Sequence, residues 1–303
     1  SIYSVNPMGL ATQYKLRFKI VGSSNYLYYT LPAGQNSIVL QNIPGMVYNT
    51  TYEVEISSLV PYSYNNQTLT TEYDWSPYGN MCLFYMDHPV NNPNNGYCGI
   101  HRTNLNLQYS VNTMGMAQQY KLRFRVNGDN DPSHYIEYTM PMGATATSLV
   151  NVPGLAYNTV YTVEISSYVP YSYNQNTSVY SYAWSPYGAS CLLYIDQPVN
   201  NPSNGYCGIQ RNLNGQYCAS SIGRATQYKF RLMVNGDPTN TYLYSIPFNY
   251  NGIGNLCFAL NATNIPGLQN NTHYKIEIST FVPYTYDVTN QVYTNSTWSP
   301  YGS

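Results

Sequence analysis

Six cysteines are the side chains of this sequence best suited to covalent chemistry. They are Cys82, Cys98, Cys191, Cys207, Cys218 and Cys257. An even number of cysteines in an exported protein predicts disulfides. Pairing 82–98, 191–207 and 218–257 leaves no thiol over and bridges two linkers, whereas pairing Cys98 with Cys191 leaves Cys82 and Cys207 alone. The count favours the first scheme, and the second stays open.

Metal binding is the competing use of the cysteines. No Cys-x-x-Cys occurs, and the histidines at 88, 101, 134 and 273 are scattered. Structural zinc sites need closely spaced cysteine and histidine ligands. We therefore predict no metal site and no cofactor.

Catalytic signatures are absent from the sequence. Gly-x-Ser-x-Gly, His-Glu-x-x-His, the P-loop and the dinucleotide fingerprint do not occur. Glu55, Glu164 and Glu277 recur at equivalent positions, but an acid/base pair needs a second carboxylate at a defined distance. We expect these carboxylates to lie on a solvated sheet face, and the recurring arginines 17, 123 and 231 to lie over aromatic rings. The sequence predicts a protein that is not an enzyme.

The most suggestive surface feature is a Val-Pro-Tyr-(Ser/Thr)-Tyr hairpin that occurs three times. Its tyrosines are Tyr62, Tyr64, Tyr171, Tyr173, Tyr284 and Tyr286. An exposed tyrosine offers a flat apolar face with a polar tip, which suits stacking on a sugar or on another protein. The preferred interpretation is that these rings pack within the protein. A ligand surface strengthened by three-fold multivalency is the alternative.

Glycosylation is the remaining candidate chemistry. Asn-x-Ser/Thr sequons begin at Asn49, Asn66, Asn176, Asn261, Asn270 and Asn295. An Asn- and Thr-rich sequence produces such triplets by chance, so they matter only if the source glycosylates asparagine.

Composition excludes several classes of partner. Twelve Lys plus Arg stand against 13 Asp plus Glu, for a net charge of -1, so no basic stripe is available for nucleic acid or for an anionic membrane surface. No apolar run approaches the roughly 20 residues of a membrane helix. No charged-then-apolar leader starts at Ser1, which we expect of a mature chain or a fragment. The 8% of charged residues and 37 tyrosines are typical of an extracellular β-protein.

Internal repeats set the organisation of the chain. The segment that begins Asn42-Ile-Pro-Gly returns at Asn151 and Asn264, and Trp-Ser-Pro-Tyr-Gly begins at 75, 184 and 298. We predict three domains at 1–90, 91–199 and 200–303, called repeats 1, 2 and 3 below. The uneven ends fit a window cut from a longer array. The alternative is a polymer subunit whose missing edge strand is supplied by a neighbour.

Alternation within a repeat predicts strands. Tyr120, Leu122, Phe124 and Val126 share one face of a strand, while lysine and arginine occupy the other. In the later segment starting at Tyr161, Val163 and Ile165 point inward with it. Short strands of this kind with frequent turn signals, in units of about 100 residues, predict β-sandwiches.

Two family resemblances follow from these residues. Leu155 and Tyr161, with five residues between them, look like the tyrosine corner of fibronectin type III domains, and 46–52 and 268–274 keep the spacing. The ordered set Ala-Thr-Gln-Tyr-Lys-Phe, Tyr-Thr-Val-Glu-Ile, Trp-Ser-Pro-Tyr-Gly-Ala-Ser-Cys and Tyr-Cys-Gly is similar to tandem repeats of giant surface proteins and gliding-motility adhesins of Bacteroidota, exported by the type IX system. The sequence departs from that family at its ends, where it shows no type IX sorting domain, as we expect of a fragment. The resemblance implies an extracellular fibre or adhesin and no catalytic residue.

The sequence thus predicts an all-β chain of three tandem fibronectin type III/Ig-like β-sandwich domains in a rod. We expect it to be secreted, non-catalytic and part of the shaft of a cell-surface filament or adhesin. Its expected partners are other copies or neighbouring repeats, with surface glycans as a further candidate. Two alternatives stay open: a multivalent glycan-binding module, and a spacer of a secreted enzyme.

Overall fold

The computed structural model describes residues 2–200, 208, 210, 212–247 and 256–302. In this part of the chain the regular structure is β-strand, with short 3-10 turns at Leu40–Asn42, Asn95–Tyr97, Pro132–His134 and Leu149–Asn151. The all-β class is confirmed. No helix among these residues is long and apolar enough to cross a membrane.

The strands follow the three-fold sequence pattern. Repeat 1 contains β1 (Ile2–Ser4), β2 (Gln13–Ile20), β3 (Tyr26–Thr30), β4 (Ser37–Val39), β5 (Thr50–Asn65), β6 (Thr70–Trp75) and β7 (Cys82–Met86). Repeat 2 contains β8 (Ile100–Arg102), β9 (Gln108–Ser110), β10 (Gln119–Val126), β11 (Ile136–Thr139), β12 (Ala146–Ser148), β13 (Thr159–Asn174), β14 (Val179–Trp184) and β15 (Cys191–Ile195). Repeat 3 contains β16 (Gln216–Ala219), β17 (Gln227–Val234), β18 (Thr241–Pro247), β19 (Leu256–Ala259), β20 (Tyr274–Asp287) and β21 (Val292–Trp298).

Each repeat contains a small two-stranded sheet and a separate larger sheet. In repeat 1 the small sheet is β1-β4, and the large sheet has the order β3-β2-β5-β6 with β7 also on β5. In repeat 3 the two sheets are β16-β19 and β18-β17-β20-β21. Repeat 2 has the small sheet β12-β9, and its β15 pairs antiparallel with β13 and parallel with β8.

The core of repeat 1 lies between its two sheets. Leu16 and Phe18 of β2 and Val54 of β5 are buried together with Ile38 of β4. In repeat 2 the predicted inward residues Tyr161, Val163 and Ile165 are likewise buried. Side chains that alternate along a strand and meet between two sheets define a β-sandwich. The sandwich fold is therefore confirmed, although Val126, at the end of its alternating strand, is exposed.

The serine of the Trp-Ser-Pro-Tyr-Gly motif is hydrogen-bonded to the long central strand of its repeat. In repeat 1, Ser76 Oγ accepts from the Ser58 N–H at 3.0 Å, and Ser57 Oγ donates to the Ser76 carbonyl at 2.6 Å. The same pair of bonds joins Ser185 to 166–167 and Ser299 to 279–280. These bonds hold the chain against the long central strand after the sixth, fourteenth and last strands end.

By contact density the chain divides into two compact units. The first comprises Ser1–Asn91, Thr113–Tyr120 and Ser166–Tyr187, and the second comprises Asn92–Asn112, Lys121–Ile165 and Gly188–Ser303. The first unit therefore holds repeat 1 together with the Pro-Tyr hairpin of repeat 2. The domain limits expected at 90 and 199 stay a prediction.

Candidate functional site: the hairpin tyrosines and the turns they contact

A tyrosine corner fixes one turn in each repeat. The phenolic oxygen of Tyr52 accepts from the Val47 N–H at 2.9 Å, and that of Tyr161 accepts from the Ala156 N–H at 2.8 Å. Tyr274 makes the same bond in repeat 3. Burial raises the pKa of Tyr52 and of Tyr161 to about 12. The corner expected from the spacing is present three times and anchors the Asn-(Ile/Val)-Pro-Gly turn before it.

A second tyrosine in each repeat accepts a backbone hydrogen bond that the sequence did not predict. Tyr14, Tyr120 and Tyr228 each accept a 2.8 Å bond from a backbone N–H six residues earlier. The signal that could have found it is the recurring (Thr/Gln)-Gln-Tyr-Lys segment preceded by Gly-x-Ala. These bonds hold the loop at the start of each large sheet.

The turn glycines need both their conformation and their small size. Gly45 and Gly154 have φ values of +90° and +89°, a region that L side chains rarely adopt. A Cβ atom on Gly45 would lie 2.6 Å from Leu27 and 2.9 Å from the ring of Tyr173. A Cβ on Gly154 would lie 2.8 Å from Tyr286. The hairpin rings therefore pack directly on glycine backbone.

Three hydrogen bonds join the turn of repeat 1 to repeat 2, and two of them are to its hairpin. The Gly45 N–H donates to the Tyr180 hydroxyl at 2.6 Å, and the Tyr48 N–H donates to the Pro170 carbonyl at 3.0 Å. The Tyr48 hydroxyl donates to the Gly115 carbonyl at 2.8 Å. All of these residues lie in the first compact unit. We call this set of contacts the turn–hairpin joint.

The hairpin of repeat 3 makes the same joint with the turn of repeat 2, within the second compact unit. The Gly154 N–H donates to the Tyr293 hydroxyl at 2.8 Å, and the Tyr157 N–H donates to the Pro283 carbonyl at 3.1 Å. The Tyr157 hydroxyl donates to the Gly223 carbonyl at 2.9 Å. The second joint thus reproduces each bond of the first.

The second joint also contains an arginine side chain. The Arg224 guanidinium donates to the carbonyls of Val150 and Val152 and lies 4.7 Å from the centre of the Tyr293 ring. Burial raises the pKa of Tyr157 above its usual value. This phenol is completely buried, so it stays neutral and donates a hydrogen bond to the Gly223 carbonyl.

The predicted hairpin tyrosines divide between packed and exposed positions. Tyr173 and Tyr286 pack on the turn glycines, whereas Tyr62 and Tyr64 are 79% and 55% exposed. Tyr171 and Tyr284 are half-buried. In repeat 1 the residue opposite Tyr64 is Thr71, not a second tyrosine.

Sequence reasoning missed the partners of the packed rings. Tyr180 and Tyr293 stand opposite Tyr173 and Tyr286 across their hairpins, with ring centres 4.7 and 4.8 Å apart. Neither belongs to the Val-Pro-Tyr motif. Their shared place in the returning strand, filled by threonine in repeat 1, was the available signal.

The disulfides correct the favoured pairing scheme. Cys98 bonds to Cys191 and Cys218 bonds to Cys257, while the Cys82 thiol is free and exposed. The expected 82–98 and 191–207 bridges are therefore wrong, because Cys98 and Cys191 flank β8 and β15, which pair within repeat 2. The 218–257 bridge is confirmed. Cys207 lies outside the described residues.

The recurring arginines and glutamates form an ion pair in each repeat. Arg17 Nε donates to Glu55 at 2.6 Å, and Arg123 Nε donates to Glu164 at 2.8 Å. Arg231 and Glu277 make the third pair. The bond to Arg17 holds the pKa of Glu55 below its usual value. The sequence had suggested that these glutamates lie on a solvated sheet face. They are instead ion-paired with arginines on the sheet.

Aromatic rings cover these ion pairs. The guanidinium carbons of Arg17, Arg123 and Arg231 lie 4.0, 4.4 and 4.1 Å from the ring centres of Tyr78, Tyr135 and Tyr301. The predicted cation–π contacts are confirmed. Each glutamate already has a guanidinium partner, so the arrangement is suited to stiffening the sheet.

The remaining candidate sites in the described part of the chain are a possible metal site, the sequon asparagines and a cleft. That part of the chain contains no group of three or more His, Cys, Asp or Glu side chains that could hold a metal ion. Five of the sequon asparagines are exposed and Asn261 is half-buried; Asn49 already accepts a bond from Tyr85. A cleft of about 250 Å³ lies beside the first joint, and Asn25, Tyr173 and Asn176 are among the residues that line it.

Comparisons with known proteins give similarity to solved structures alone. No protein-family model matches the chain, and no curated protein matches it. The crystal structure of chicken CNTN1 FN1-FN3 domains is 12% identical, with a TM-score of 0.28, over 97% of this chain and 89% of that one. A structure reported for host cell surface retention of a 1.5-MDa bacterial ice-binding adhesin is 10% identical, with a TM-score of 0.17, over 98% and 86%.

Proposed function

We propose that the chain is an extracellular structural repeat array that forms the shaft of a cell-surface filament or adhesin. The observation that carries this proposal is the turn–hairpin joint, which is made twice with the same bonds. A contact repeated between successive repeats transmits load through backbone hydrogen bonds and packed rings. The Pro/Asn/Gly linkers would otherwise act as flexible hinges.

Two further features support a protein that works outside the cell. Disulfides persist in oxidising compartments, and Cys98–Cys191 ties the two ends of repeat 2 together. The paired, ring-covered arginines leave the sheets with few free charges, which favours lateral packing between copies. The resemblance to Bacteroidota repeat proteins makes export by the type IX system part of the proposal.

Immunogold electron microscopy of the producing cells tests this function. An antibody raised against the folded chain should label fibres or the cell surface, and label should disappear when type IX secretion is blocked. Label confined to the cell interior would contradict the structural role. Surface label that survives the block would contradict only the export route.

A glycan-binding role is the second candidate, and the cleft beside the first joint favours it. Asn25, Asn176 and Tyr173 are among its lining residues, and an aromatic ring beside polar amides suits contact with a sugar. A glycan array should show binding that Asn25→Ala abolishes and that Asn66→Ala, on the exposed turn of repeat 1, leaves intact. Failure of every glycan to bind would remove this candidate.

A further inference from the structure

The Cys98–Cys191 disulfide joins the start of repeat 2 to its end. The bridge spans 93 residues, yet it holds the two Cα atoms 5.4 Å apart. The strands from β8 to β14 all lie inside the loop that it closes. Tension along the backbone therefore crosses repeat 2 through one covalent bond and does not act on the chain between residues 99 and 190.

The load leaves the bridge along β15, which begins at Cys191. In this arrangement β15 is itself the loaded segment, and β8 and β13 are attached to its two sides. The hydrogen bonds between β15 and these neighbours do not have to carry the load, because the path on both sides of Cys191 is covalent.

Opening the bridge would transfer the load to β8 and β15. The two strands are parallel, with Ile100 opposite Leu193 and Arg102 opposite Ile195. Tension then enters at the first residue of β8 and leaves at the last residue of β15, and in a parallel pair these residues lie at opposite ends. The pair is consequently loaded in shear, so its bonds must break together.

Contacts beside the two strands resist the same displacement. The Gly99 N–H donates to the Leu192 carbonyl at 2.7 Å. The His101 ring stacks on Tyr194, with ring centres 4.3 Å apart. Repeat 2 therefore has two successive resistances between the same points, the covalent bridge and the β8–β15 pair.

Repeat 3 contains a shorter bridge that shields less of the domain. Cys218 and Cys257 are joined over 39 residues, and they lie opposite one another on β16 and β19. Strands β17 and β18 lie inside this loop, whereas β20 and β21 follow it and stay in the path of the load.

We propose that the Cys98–Cys191 disulfide is a tension bypass that makes repeat 2 inextensible, and that the β8–β15 pair takes the load when the bridge is open. An extended residue spans about 3.5 Å, so the open and unfolded loop of 93 residues would measure about 320 Å. The 39-residue loop of repeat 3 would measure about 130 Å. This inference rests on the proposed structural role, because only an array that carries load makes use of a bypass.

Optical tweezers can measure these lengths on the full chain, held by peptide tags at its two ends. All proteins compared carry Cys82→Ser and Cys207→Ser, so that no other disulfide forms. With all three repeats unfolded, the bridged chain should fall short of its full contour length by about 450 Å. Dithiothreitol, which is oxidised to a cyclic disulfide as it reduces a bridge to two thiols, should restore that length.

Two double variants assign the lengths to the bridges. Cys98→Ser/Cys191→Ser should gain about 320 Å without reductant, and the matched control Cys218→Ser/Cys257→Ser should gain about 130 Å. The total length does not require the variants to fold. A 320 Å step in the bridged chain would overturn the bypass, and so would equal gains in the two variants.

His101→Ala tests where the load acts once the bridge is open. It removes the stack on Tyr194, so in reduced chains it should raise the rate of the 320 Å step at constant force by about two- to tenfold. Met142→Ala, at a position that is 70% exposed, is the control. Equal rates in the two variants would overturn the β8–β15 pair as the loaded contact. Neither measurement involves the cell surface, so the bypass and the proposed structural role can fail independently.

Discussion

Replacing Gly154 with alanine probes the contact on which the second turn–hairpin joint depends. The residue has a φ of +89°, and an L side chain in the left-handed region costs about 1–2 kcal/mol. The added Cβ would also lie 2.8 Å from Ile136 Cδ1 and 2.8 Å from Tyr286 Cε1. Overpacking of this kind costs about 1–3 kcal/mol, so we expect a total loss of about 2–5 kcal/mol in the free energy of unfolding.

Gly128 offers a matched control. Its φ is +90°, and a Cβ placed on it meets no atom within 4 Å. Gly128→Ala therefore carries the backbone cost alone, about 1–2 kcal/mol. The difference between the two variants isolates the collision between the turn and the hairpin ring.

Urea denaturation supplies both free energies, and amide hydrogen exchange reports on the joint itself. In Gly154→Ala, the exchange of residue 154 should accelerate, because its N–H can no longer hold the 2.8 Å bond to Tyr293. The reasoning is refuted if the two variants lose the same stability and residue 154 stays protected. That result would mean that the ring packs on the turn without constraining it.

Three further outcomes follow from the repeat interiors. Tyr161→Phe removes the acceptor of the buried Ala156 N–H and should cost about 1–3 kcal/mol in urea denaturation. Cys98→Ser opens a bridge that spans 93 residues, and should cost about 4–5 kcal/mol. Glu55→Gln should lower the urea midpoint near neutral pH and have little effect in strong acid. Its lowered folded-state pKa means that the Arg17 bond stabilises the fold above the unfolded-state pKa and is lost as pH falls through the folded value.

Each of these outcomes has a control. Tyr62→Phe changes a tyrosine that is 79% exposed and should leave stability unchanged, as should Cys82→Ser, whose thiol is free. A Cys98→Ser protein as stable as the wild type would mean that the bridge does not constrain the unfolded chain. If Glu55→Gln lowers the urea midpoint equally at both pH values, the loss of stability does not come from the ion pair with Arg17.

Local sequence patterns were sufficient to predict most of the fold. The alternation of Tyr120, Leu122 and Phe124 predicts a strand because side-chain direction depends only on neighbouring residues. The tyrosine corner could also be predicted, since its donor and acceptor stand five residues apart. The recurring arginines pointed to cation–π contacts, but their glutamate partners lie on a different strand. No local pattern brings Arg17 and Glu55 together.

Disulfide connectivity shows where sequence reasoning ended. Counting thiols favoured short bridges across the linkers, because such loops leave no cysteine over. The actual partner of Cys98 is 93 residues away. A parallel pair of strands needs a long crossover connection, so the β8–β15 pair that brings these cysteines together exists only once repeat 2 has folded.

Composition and short spacings were enough to predict the repeats, the strands and the corner tyrosines. Which tyrosines pack and which remain exposed could not be predicted in this way, because it depends on the folded chain. Tyr173 and Tyr64 occupy the same place in the same motif, yet one rests on a turn glycine and the other faces solvent. The difference lies in the neighbouring repeat, because a side chain's burial depends on what folds against it.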